Sequence, residues 1–353
     1  MFNGKSFIEI SGRKIGPNNP CFIIAELSAN HLHDFDIAVE TLKAMKDSGA
    51  DAVKFQTYTP DTITINSRND YFQIKQGTIW DGKNLYELYQ EAYTPWEWQP
   101  KLKKIAEKLG LIAFSSPFDK SAVDFLEDMN MPAYKIASFE ITDIPLIEYV
   151  ASTRKPIIIS TGIAELGDIE LAVKTCEKEG NDQIALLKCT SSYPAPLEEI
   201  NLNTIPHLKQ AFNTIVGLSD HTLGNSVAIA SVALGAAIIE KHFILDRKLG
   251  GPDADFSTEP EEFKNMVNSI REVEKALGKV SYKLTTKTKS NKDFSRSLFV
   301  VKDVKKGDKF TEDNVRSIRP GFGLHPKYLR YIIGKKASKD ILKGIPLNWN
   351  LIN

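Results

Sequence analysis

Residues 214–242 read TIVGLSDHTLGNSVAIASVALGAAIIEKH and contain one complete β–α–β repeat. Two short apolar runs, Thr214 to Leu218 and Ile238 to His242, flank a helical pattern from Val227 to Leu234. Runs that are apolar on successive residues are typical of strands buried on both faces of a parallel sheet. This stretch therefore predicts an α/β fold built on a parallel sheet.

The same alternation extends back through the chain to the N-terminal region. Six further strand runs precede the first one, namely Phe22 to Ala25, Ala52 to Gln56, Ile112 to Ser115, Ala133 to Ile136, Pro156 to Ser160 and Ile184 to Lys188. Helical patterns separate them, such as Ile37 to Lys46, Trp96 to Leu109, Ser121 to Met129 and Ile169 to Glu177. Eight such units in about 250 residues favour a (β/α)₈ TIM barrel over an open doubly wound sheet.

Two segments depart from this alternation. The loop from Tyr58 to Tyr93 is too long for a plain connection and predicts a lid or binding loop. Residues 280–293 are polar and basic and predict a linker between a barrel at residues 1–279 and a small, mostly β domain at residues 294–353. That domain is predicted from Ser297 to Val301, Val315 to Arg319 and the glycine turns at Gly307 and Gly344.

The 353 residues include 45 basic and 45 acidic side chains, but these are unevenly distributed. Residues 281–353 hold 17 Lys+Arg and 6 Asp+Glu, which leaves 28 basic and 39 acidic residues before them. A basic tail leaves nucleic-acid binding open, although the usual interleaving of aromatic and basic residues is missing. With 42% hydrophobic and 25% charged residues, the composition is that of a globular protein rather than a disordered or fibrous one.

No apolar run approaches the roughly 18 residues of a membrane span, and Met1–Lys5 lacks the apolar stretch of a signal peptide. We therefore expect a cytoplasmic protein without membrane attachment. Cys21, Cys176 and Cys189 are widely spaced, which predicts neither a disulfide framework nor a thiolate zinc site.

Polar side chains stand where the predicted strands end, and in TIM barrels the active site lies at those ends. Taken in chain order, these side chains are Glu26, Lys54, Gln56, Ser115, Ser116, Lys135, Ser138, Glu140, Ser160, Thr161, Lys188, Ser191, Tyr193, Ser219, Asp220, His221 and His242. Lys54 and Lys135 together with the hydroxyls predict a site for a multiply charged oxyanion such as phosphate. The alternatives are lysines in ion pairs at the rim, or a lysine that forms a Schiff base.

His221 and His242 end neighbouring strands and could share one metal ion, for which Mn²⁺, Fe²⁺, Co²⁺ or Zn²⁺ suits imidazole better than Mg²⁺. The alternative is one histidine as an acid/base and the other as a packed core residue. Glu26 ends an apolar strand, and burial predicts a raised pKa useful for proton transfer. Its alternative role is an ion pair with a strand-end lysine.

The sequence resembles the N-acetylneuraminate synthase family of sialic acid synthases, whose barrel is followed by a domain similar to type III antifreeze protein (SAF). The matching motifs are Ile24–His31, Val53–Thr57, Ser115–Phe118, Tyr134–Ser138, Ile159–Gly162, Cys189–Pro194, Gly217–Thr222, Glu240–Phe243, Gly251–Asp253 and Arg319–Gly323. Within the family, the segments Tyr58–Ile65, Gly77–Gly82 and Ala92–Trp98 are most similar to the pseudaminic acid synthase branch. The resemblance implies condensation of phosphoenolpyruvate with 2,4-diacetamido-2,4,6-trideoxy-β-L-altropyranose and water, which gives pseudaminic acid and phosphate.

The resemblance also implies roles for individual residues. Glu26, His221 and His242 would be catalytic, with the two histidines holding a divalent metal, Mn²⁺ before Mg²⁺ or Co²⁺. Phosphoenolpyruvate would be bound by Lys54, Ser116, Lys135, Ser138, Ser160, Ser191 and Ser219. The sugar would be bound by Gln56, Glu140, Tyr193, Asp253 and Arg319.

Arg319 would come from a partner subunit, because in this family the tail of one chain reaches over the barrel of the other. A homodimer is therefore expected, with the basic tail docking on an acidic body rather than on nucleic acid. A related sugar, either N-acetylmannosamine or a legionaminic acid precursor, is the alternative substrate. A Schiff-base aldolase using Lys54 or Lys135 is the rival reaction.

Overall fold

The computed structural model describes residues 7–75 and 77–353, so the expectation drawn from Met1–Lys5 lies outside the described residues. Within that range eight parallel strands close into a barrel, which confirms the predicted fold class. The barrel strands are β3 (Phe22–Glu26), β4 (Ala52–Thr57), β5 (Ile112–Pro117), β6 (Tyr134–Ile136), β7 (Ile157–Ser160), β8 (Ile184–Cys189), β9 (Ile215–Asp220) and β10 (Ile238–His242). An antiparallel hairpin of β1 (Ile8–Ile10) and β2 (Arg13–Ile15), which the sequence analysis did not predict, precedes them.

Helices alternate with the barrel strands along the chain. They are α1 (Phe35–Asp47), α2 (Pro60–Ile63), α3 (Leu85–Ala92), α4 (Gln99–Lys108), α5 (Lys120–Asp128), α6 (Ile144–Ser152), α7 (Leu166–Lys178), α8 (Thr204–Phe212), α9 (Ser226–Ala233) and α10 (Pro260–Leu277). Several begin at a side-chain cap: Asp34 accepts from the backbone N–H groups of Asp36 and Ile37, which are otherwise unpaired at a helix start. The chain divides into two compact units, one ending at Gly278 and the other comprising Lys279–Asn353.

Inward-facing positions change from apolar to polar along each strand. In β3, Phe22 and Ile24 belong to the cluster inside the barrel and Glu26 follows them on the same face. In β10, Ile238 is followed by Glu240 and His242 in the same way. Because side chains alternate between the two faces of a strand, this pattern gives the barrel a dry lower half and a polar upper end.

The hairpin closes the lower end of the barrel. Ile8, Ile10 and Ile15 are buried and pack in one cluster with the first inward-facing residues of the barrel strands. The alternate strand positions pack outward against the helices in a second, larger cluster. The lower half is therefore a filled core, so the C-terminal strand ends are the open end at which a ligand can enter.

Gly217 lies where two barrel strands approach closely. A Cβ atom at this position would stand 2.4 Å from the Ile238 carbonyl oxygen on the neighbouring strand β10. We expect Gly217→Ala to lower the free energy of unfolding by about 1–3 kcal/mol, as over-packing of cores typically does. Urea denaturation measures this loss; a variant as stable as the parent would contradict it. Gly167→Ala in α7 is the control, because a Cβ there meets nothing within 4 Å.

The second unit has its own small core. Strands β11 (Ser297–Val300) and β12 (Val315–Ile318) pair antiparallel, and Leu298, Phe310 and Leu347 are among its buried residues. The predicted linker is not without structure, since it contains α11 (Thr286–Ser290) and a 3₁₀ turn; α12 (Leu329–Ile332) follows in the domain. Among the described residues no helix is long and apolar enough to cross a membrane.

Candidate active site

A cavity of about 530 Å³ opens at the C-terminal ends of the barrel strands. Most residues that the sequence predicted for the site line it, namely Glu26, Lys54, Gln56, Lys135, Ser138, Glu140, Ser160, Ser191, Tyr193, Ser219, His221, His242 and Asp253. Ser116 does not line it: this side chain is fully buried and its Oγ atom has no hydrogen-bond partner in the described structure. Arg319 belongs to the second unit and follows β12.

The floor of the cavity is a buried cluster of two carboxylates and two ammonium groups. Lys54 Nζ lies 2.7 Å from Glu26 Oε1 and 3.2 Å from Glu240 Oε1. Lys135 Nζ lies 3.1 Å from the same Glu240 oxygen, which also accepts a hydrogen bond of 3.1 Å from Ser219 Oγ. Glu240 thus holds both lysines at one point, although they come from different strands.

The prediction of a raised pKa for Glu26 is wrong. Burial by itself raises the pKa of this carboxyl, but Lys54, His242 and Lys135 together hold it well below its ordinary value. Register explains these contacts, because Glu26 stands opposite Lys54 on β4 and opposite His242 on β10. Glu26 is therefore ionised at neutral pH and accepts hydrogen bonds instead of donating them.

The two lysines differ in their electrostatic surroundings. Burial lowers the pKa of each, yet Glu240 and Glu26 outweigh burial at Lys54 and raise its pKa above the ordinary value. At Lys135 burial outweighs Glu240, and the pKa is lowered. Both side chains are almost fully buried, at 3% and 2% exposure, so their charges act in a medium where electrostatic interactions are stronger than in water.

Serine hydroxyls surround this floor and several lack partners. The Oγ atoms of Ser160 and Ser191 are buried without a hydrogen-bond partner among the described residues, as is Glu240 Oε2. Gly162 leaves room beside them: a Cβ there would lie 2.0 Å from Ser191 Oγ and 2.7 Å from Ser138 Oγ. Unpaired buried hydroxyls cost free energy unless a ligand completes them, and next to two lysines they can donate hydrogen bonds to the oxygens of an anionic ligand.

The geometry of His221 and His242 fits a divalent metal ion. Their ring centroids are 5.3 Å apart. His221 Nδ1 lies 3.0 Å from the Thr190 carbonyl oxygen, which only accepts, so this nitrogen carries a proton and Nε2 is the atom that could bind a metal. His242 Nε2 lies 3.2 Å from Glu26 Oε2, while its buried Nδ1 has no hydrogen-bond partner in the described structure. Imidazoles that bind metals are oriented in this way by an acceptor on the other nitrogen.

The histidines would supply only part of a metal's coordination shell. Among residues 7–75 and 77–353, no group of three or more His, Cys, Asp and Glu side chains is arranged to hold a metal ion. Asp253 comes nearest, with Oδ2 3.7 Å from His242 Nδ1. Oxygens of substrate or water would complete the shell, which is the arrangement of catalytic rather than structural sites.

The remaining predicted residues lie around the histidines. Gln56 Nε2 donates to Glu26 Oε1 at 2.8 Å and to Ser28 Oγ at 3.0 Å. Ser28 in turn hydrogen-bonds Asp253. The ring centroids of Tyr193 and His221 are 4.4 Å apart.

Glu140 differs from Glu26 in making no ion pair within the described part of the chain. Burial is the main cause that raises the pKa of its carboxyl to about 7, and Lys135 offsets part of that effect. Glu140 Oε2 is buried and makes no hydrogen bond within the described chain. A carboxyl that is partly protonated at neutral pH can donate a hydrogen bond to a ligand or accept one from it.

Sequence reasoning gave no role to Glu240 or Ser28, which both line the cavity. Glu240 precedes His242 by two positions, so strand periodicity could have placed it on the same inward face. Ser28 lies in a loop, where no periodicity indicates orientation. Trp80 lies in the long loop that was predicted to be a lid or binding loop, and it lines the cavity. The strand-end residue Lys188 does not line the cavity; its Nζ donates to the Cys189 carbonyl and to Thr190 Oγ1.

The chain matches two known family models. One is described as the NeuB family and matches residues 41–282. The other is described as the SAF domain and matches residues 295–353.

Individual relatives cover nearly the whole chain. A pseudaminic acid synthase from Helicobacter pylori is 49% identical over 93% of this chain and 97% of that protein. An N,N'-diacetyllegionaminic acid synthase from Legionella pneumophila is 37% identical over 97% of this chain and 99% of that protein. A crystal structure of a sialic acid synthetase from Leptospira borgpetersenii, in complex with citrate, has a TM-score of 0.73 and 32% identity over 82% of this chain and 96% of that one.

Proposed function

Because the chain belongs to the NeuB family of phosphoenolpyruvate-dependent nonulosonic acid synthases, we propose that it is a pseudaminic acid synthase. The reaction condenses phosphoenolpyruvate with 2,4-diacetamido-2,4,6-trideoxy-altrose and water, and releases phosphate. The similarity to pseudaminic acid synthases, at 49% identity, exceeds that to the legionaminic acid synthase at 37% and supports this substrate. The single observation in the site that supports the reaction is the anion-binding floor of two buried lysines beside two oriented histidines.

Phosphoenolpyruvate is assigned to this floor. Lys54 and Lys135 supply positive charge to its phosphate and carboxylate, and Ser138, Ser160, Ser191 and Ser219 supply hydroxyl donors. We also keep Ser116 in this set, because its buried hydroxyl has no partner in the described structure and it follows the inward-facing Phe114 by two positions on β5.

The metal assignment follows from the free imidazole nitrogens, and enzymes of this family generally use a divalent metal. When bound by His221 and His242, a divalent cation, with Mn²⁺ before Mg²⁺ or Co²⁺, supplies Lewis acidity to the aldehyde of the open-chain sugar. Glu26 keeps His242 oriented through its Nε2 contact. The two histidines and the lysine floor together bring two small substrates into one orientation, which lowers the entropic part of the barrier.

The bond changes balance without a further reactant. The methylene carbon of phosphoenolpyruvate forms the new C–C bond with the aldehyde carbon, whose oxygen takes up a proton. Water then adds to the phosphate-bearing carbon, and the Glu26 carboxylate is assigned as the acceptor of the proton that the water loses. Cleavage of the C–O bond to the phosphate leaves the carbonyl of the product, and the released phosphate takes the hydroxyl proton of the intermediate. The proton that Glu26 accepts replaces the one taken up by the aldehyde oxygen, so the two protons of water end on the new hydroxyl and on the phosphate.

The sugar is assigned to the residues around the histidines. Gln56, Glu140, Tyr193 and Asp253 line the same cavity and offer donors and acceptors to its hydroxyl and acetamido groups. Arg319 is proposed to reach the sugar from the partner subunit of a homodimer. This assignment is supported by the match of residues 295–353 to the SAF domain.

A phosphate-release assay with three sugars tests the proposed substrate. We expect turnover with phosphoenolpyruvate and the diacetamido-trideoxyaltrose to exceed that with N-acetylmannosamine or the legionaminic acid precursor by at least about 10²-fold in kcat/KM, since the sugars differ in several recognised groups. The assay is run with and without Mn²⁺. Turnover with N-acetylmannosamine alone would refute the pseudaminic acid assignment, and a borohydride-trapped pyruvate adduct would favour the aldolase.

A further inference from the structure

The long loop after β4 crosses the mouth of the barrel as a hairpin. Ile74 N donates to Lys83 O, and Gly82 N donates to Ile74 O, each at 3.0 Å. At the tip Trp80 Nε1 donates to the Pro252 carbonyl at 2.8 Å, and its ring packs 5.5 Å from that of Tyr193. Since Pro252 follows β10 and Tyr193 follows β8, this loop spans the cavity from one side of the barrel to the other.

The inner surface of this loop is largely apolar. Helix α3 presents Leu85, Leu88 and Ala92 on one face, at the three- and four-residue spacing of a helical stripe, and all three line the cavity. An apolar helical stripe usually packs on a protein core, but this one faces open volume. Ile63 and Ile74 line the same cavity, and we call these five residues the apolar roof.

The apolar roof and the charged floor face different parts of a bound sugar. The aldehyde carbon must lie at the floor, next to the lysines and histidines that bind phosphoenolpyruvate and the metal. The far end of the open-chain sugar is assigned to the roof, because the roof residues line the same cavity and belong to the loop whose Trp80 reaches across its mouth. The five roof side chains contain no donor or acceptor, so a hydroxyl there loses hydrogen bonds to water whereas a methyl group is buried favourably.

We propose that the apolar roof selects a sugar whose terminal carbon is a methyl group and not a hydroxymethyl group. The inference rests on the proposed function in that the open-chain acetamido sugar is the second substrate. Tyr58, Thr78 and Tyr89 of the same loop also line the cavity and carry hydroxyls, a group that can hydrogen-bond an acetamido group. Selection at the terminal carbon is then assigned to the aliphatic residues of the roof. Leu88, on the central turn of α3, is the residue that the test changes.

The test compares two sugars that differ at the terminal carbon alone, the diacetamido-trideoxyaltrose and its 6-hydroxy analogue. We expect the parent enzyme to prefer the 6-deoxy sugar by about 10- to 100-fold in kcat/KM, the range that an apolar pocket reaches against an added hydroxyl. Leu88→Gln should reduce this preference at least about 5-fold, because the amide can hydrogen-bond the hydroxyl. The KM for phosphoenolpyruvate should stay within about 2-fold, because Leu88 lies away from the charged floor.

Two variants provide the controls. Leu88→Met keeps an apolar side chain of similar volume and should keep the preference. Ile65→Gln changes an exposed residue of the same loop that does not line the cavity, and it should also keep the preference. Melting curves identify a variant that does not fold, in which case Leu85→Gln at the start of α3 replaces Leu88→Gln. A parent enzyme with no preference, or equal preferences in the parent and the glutamine variant, would overturn the inference.

The roof inference and the proposed function can fail independently of each other. If only N-acetylmannosamine is turned over, the pseudaminic acid assignment fails, and the roof is tested with N-acetylmannosamine against its 6-deoxy derivative. A preference for the 6-deoxy derivative that Leu88→Gln reduces would support the roof even then. If the altrose sugar is turned over and the roof variants leave the preference unchanged, the function stands and the roof inference fails.

Discussion

Lys135→Ala should lower kcat/KM for phosphoenolpyruvate by about 30- to 4000-fold, which corresponds to the roughly 2–5 kcal/mol lost when one partner of a buried charge pair is truncated. Lys135 is 2% exposed and its Nζ lies 3.1 Å from Glu240 Oε1. Its removal leaves Glu240 next to the anionic substrate with one neutralising lysine instead of two. Steady-state kinetics with varied phosphoenolpyruvate measure the effect.

Substitution of a second lysine is the control that distinguishes the loss of Lys135 from the loss of any one positive charge. Lys188 also ends a barrel strand, but it does not line the cavity and donates to the Cys189 carbonyl. Lys188→Ala should therefore leave kcat/KM within about 3-fold of the parent, as substitutions outside a site usually do. A Lys135→Ala enzyme that stays within 5-fold of the parent while remaining folded would remove Lys135 from the phosphoenolpyruvate site.

His242→Ala should abolish metal-dependent turnover, with a loss of at least about 10³-fold in kcat, because Lewis-acid stabilisation is worth several kcal/mol. His242 Nδ1 is buried without a hydrogen-bond partner in the described structure, so it is the donor atom that the substitution removes. Metal affinity should fall as well, and calorimetric titration of the metal-free variant with Mn²⁺ measures it without reference to turnover.

His207→Ala is the control for this experiment, since His207 is exposed on α8. Its Mn²⁺ affinity and turnover should match those of the parent. Chelation of the parent enzyme with EDTA should reduce turnover to the level of His242→Ala, and added Mn²⁺ should restore the parent but not the variant. Full activity of His242→Ala in the presence of EDTA would exclude a metal role for this histidine.

Local sequence patterns were sufficient to predict the barrel strands. Each strand is a run of apolar residues on both faces, and burial on both faces requires helices outside and a packed centre inside. The hairpin Ile8–Ile15 was missed because two three-residue strands carry too little periodicity to be recognised. The helix inside the predicted linker was missed for a related reason: its five residues are all polar, and no apolar face indicates them.

Residue types at strand ends predicted where the site lies, but not which of them face it. Lys135 and Lys188 both end strands, yet strand alternation directs Lys135 into the cavity and places Lys188 outside it. Glu240 was overlooked because it lies within a strand instead of after one. Counting in twos from His242 would have found it, since that rule needs no knowledge of neighbouring strands.

The sequence by itself determined the fold class, the end of the barrel that carries the chemistry and the residue types available there, because these follow from alternation along single strands. Only the tertiary structure decided which of these side chains are ionised and which of them form ion pairs with one another. Glu26 is ionised because strand register sets it between Lys54 and His242. Lys135 meets Glu240, 105 residues away in the chain, because closure of the barrel brings their strands to one axis. Electrostatic interactions depend on distance in space, and strand pairing, which no local pattern encodes, sets those distances.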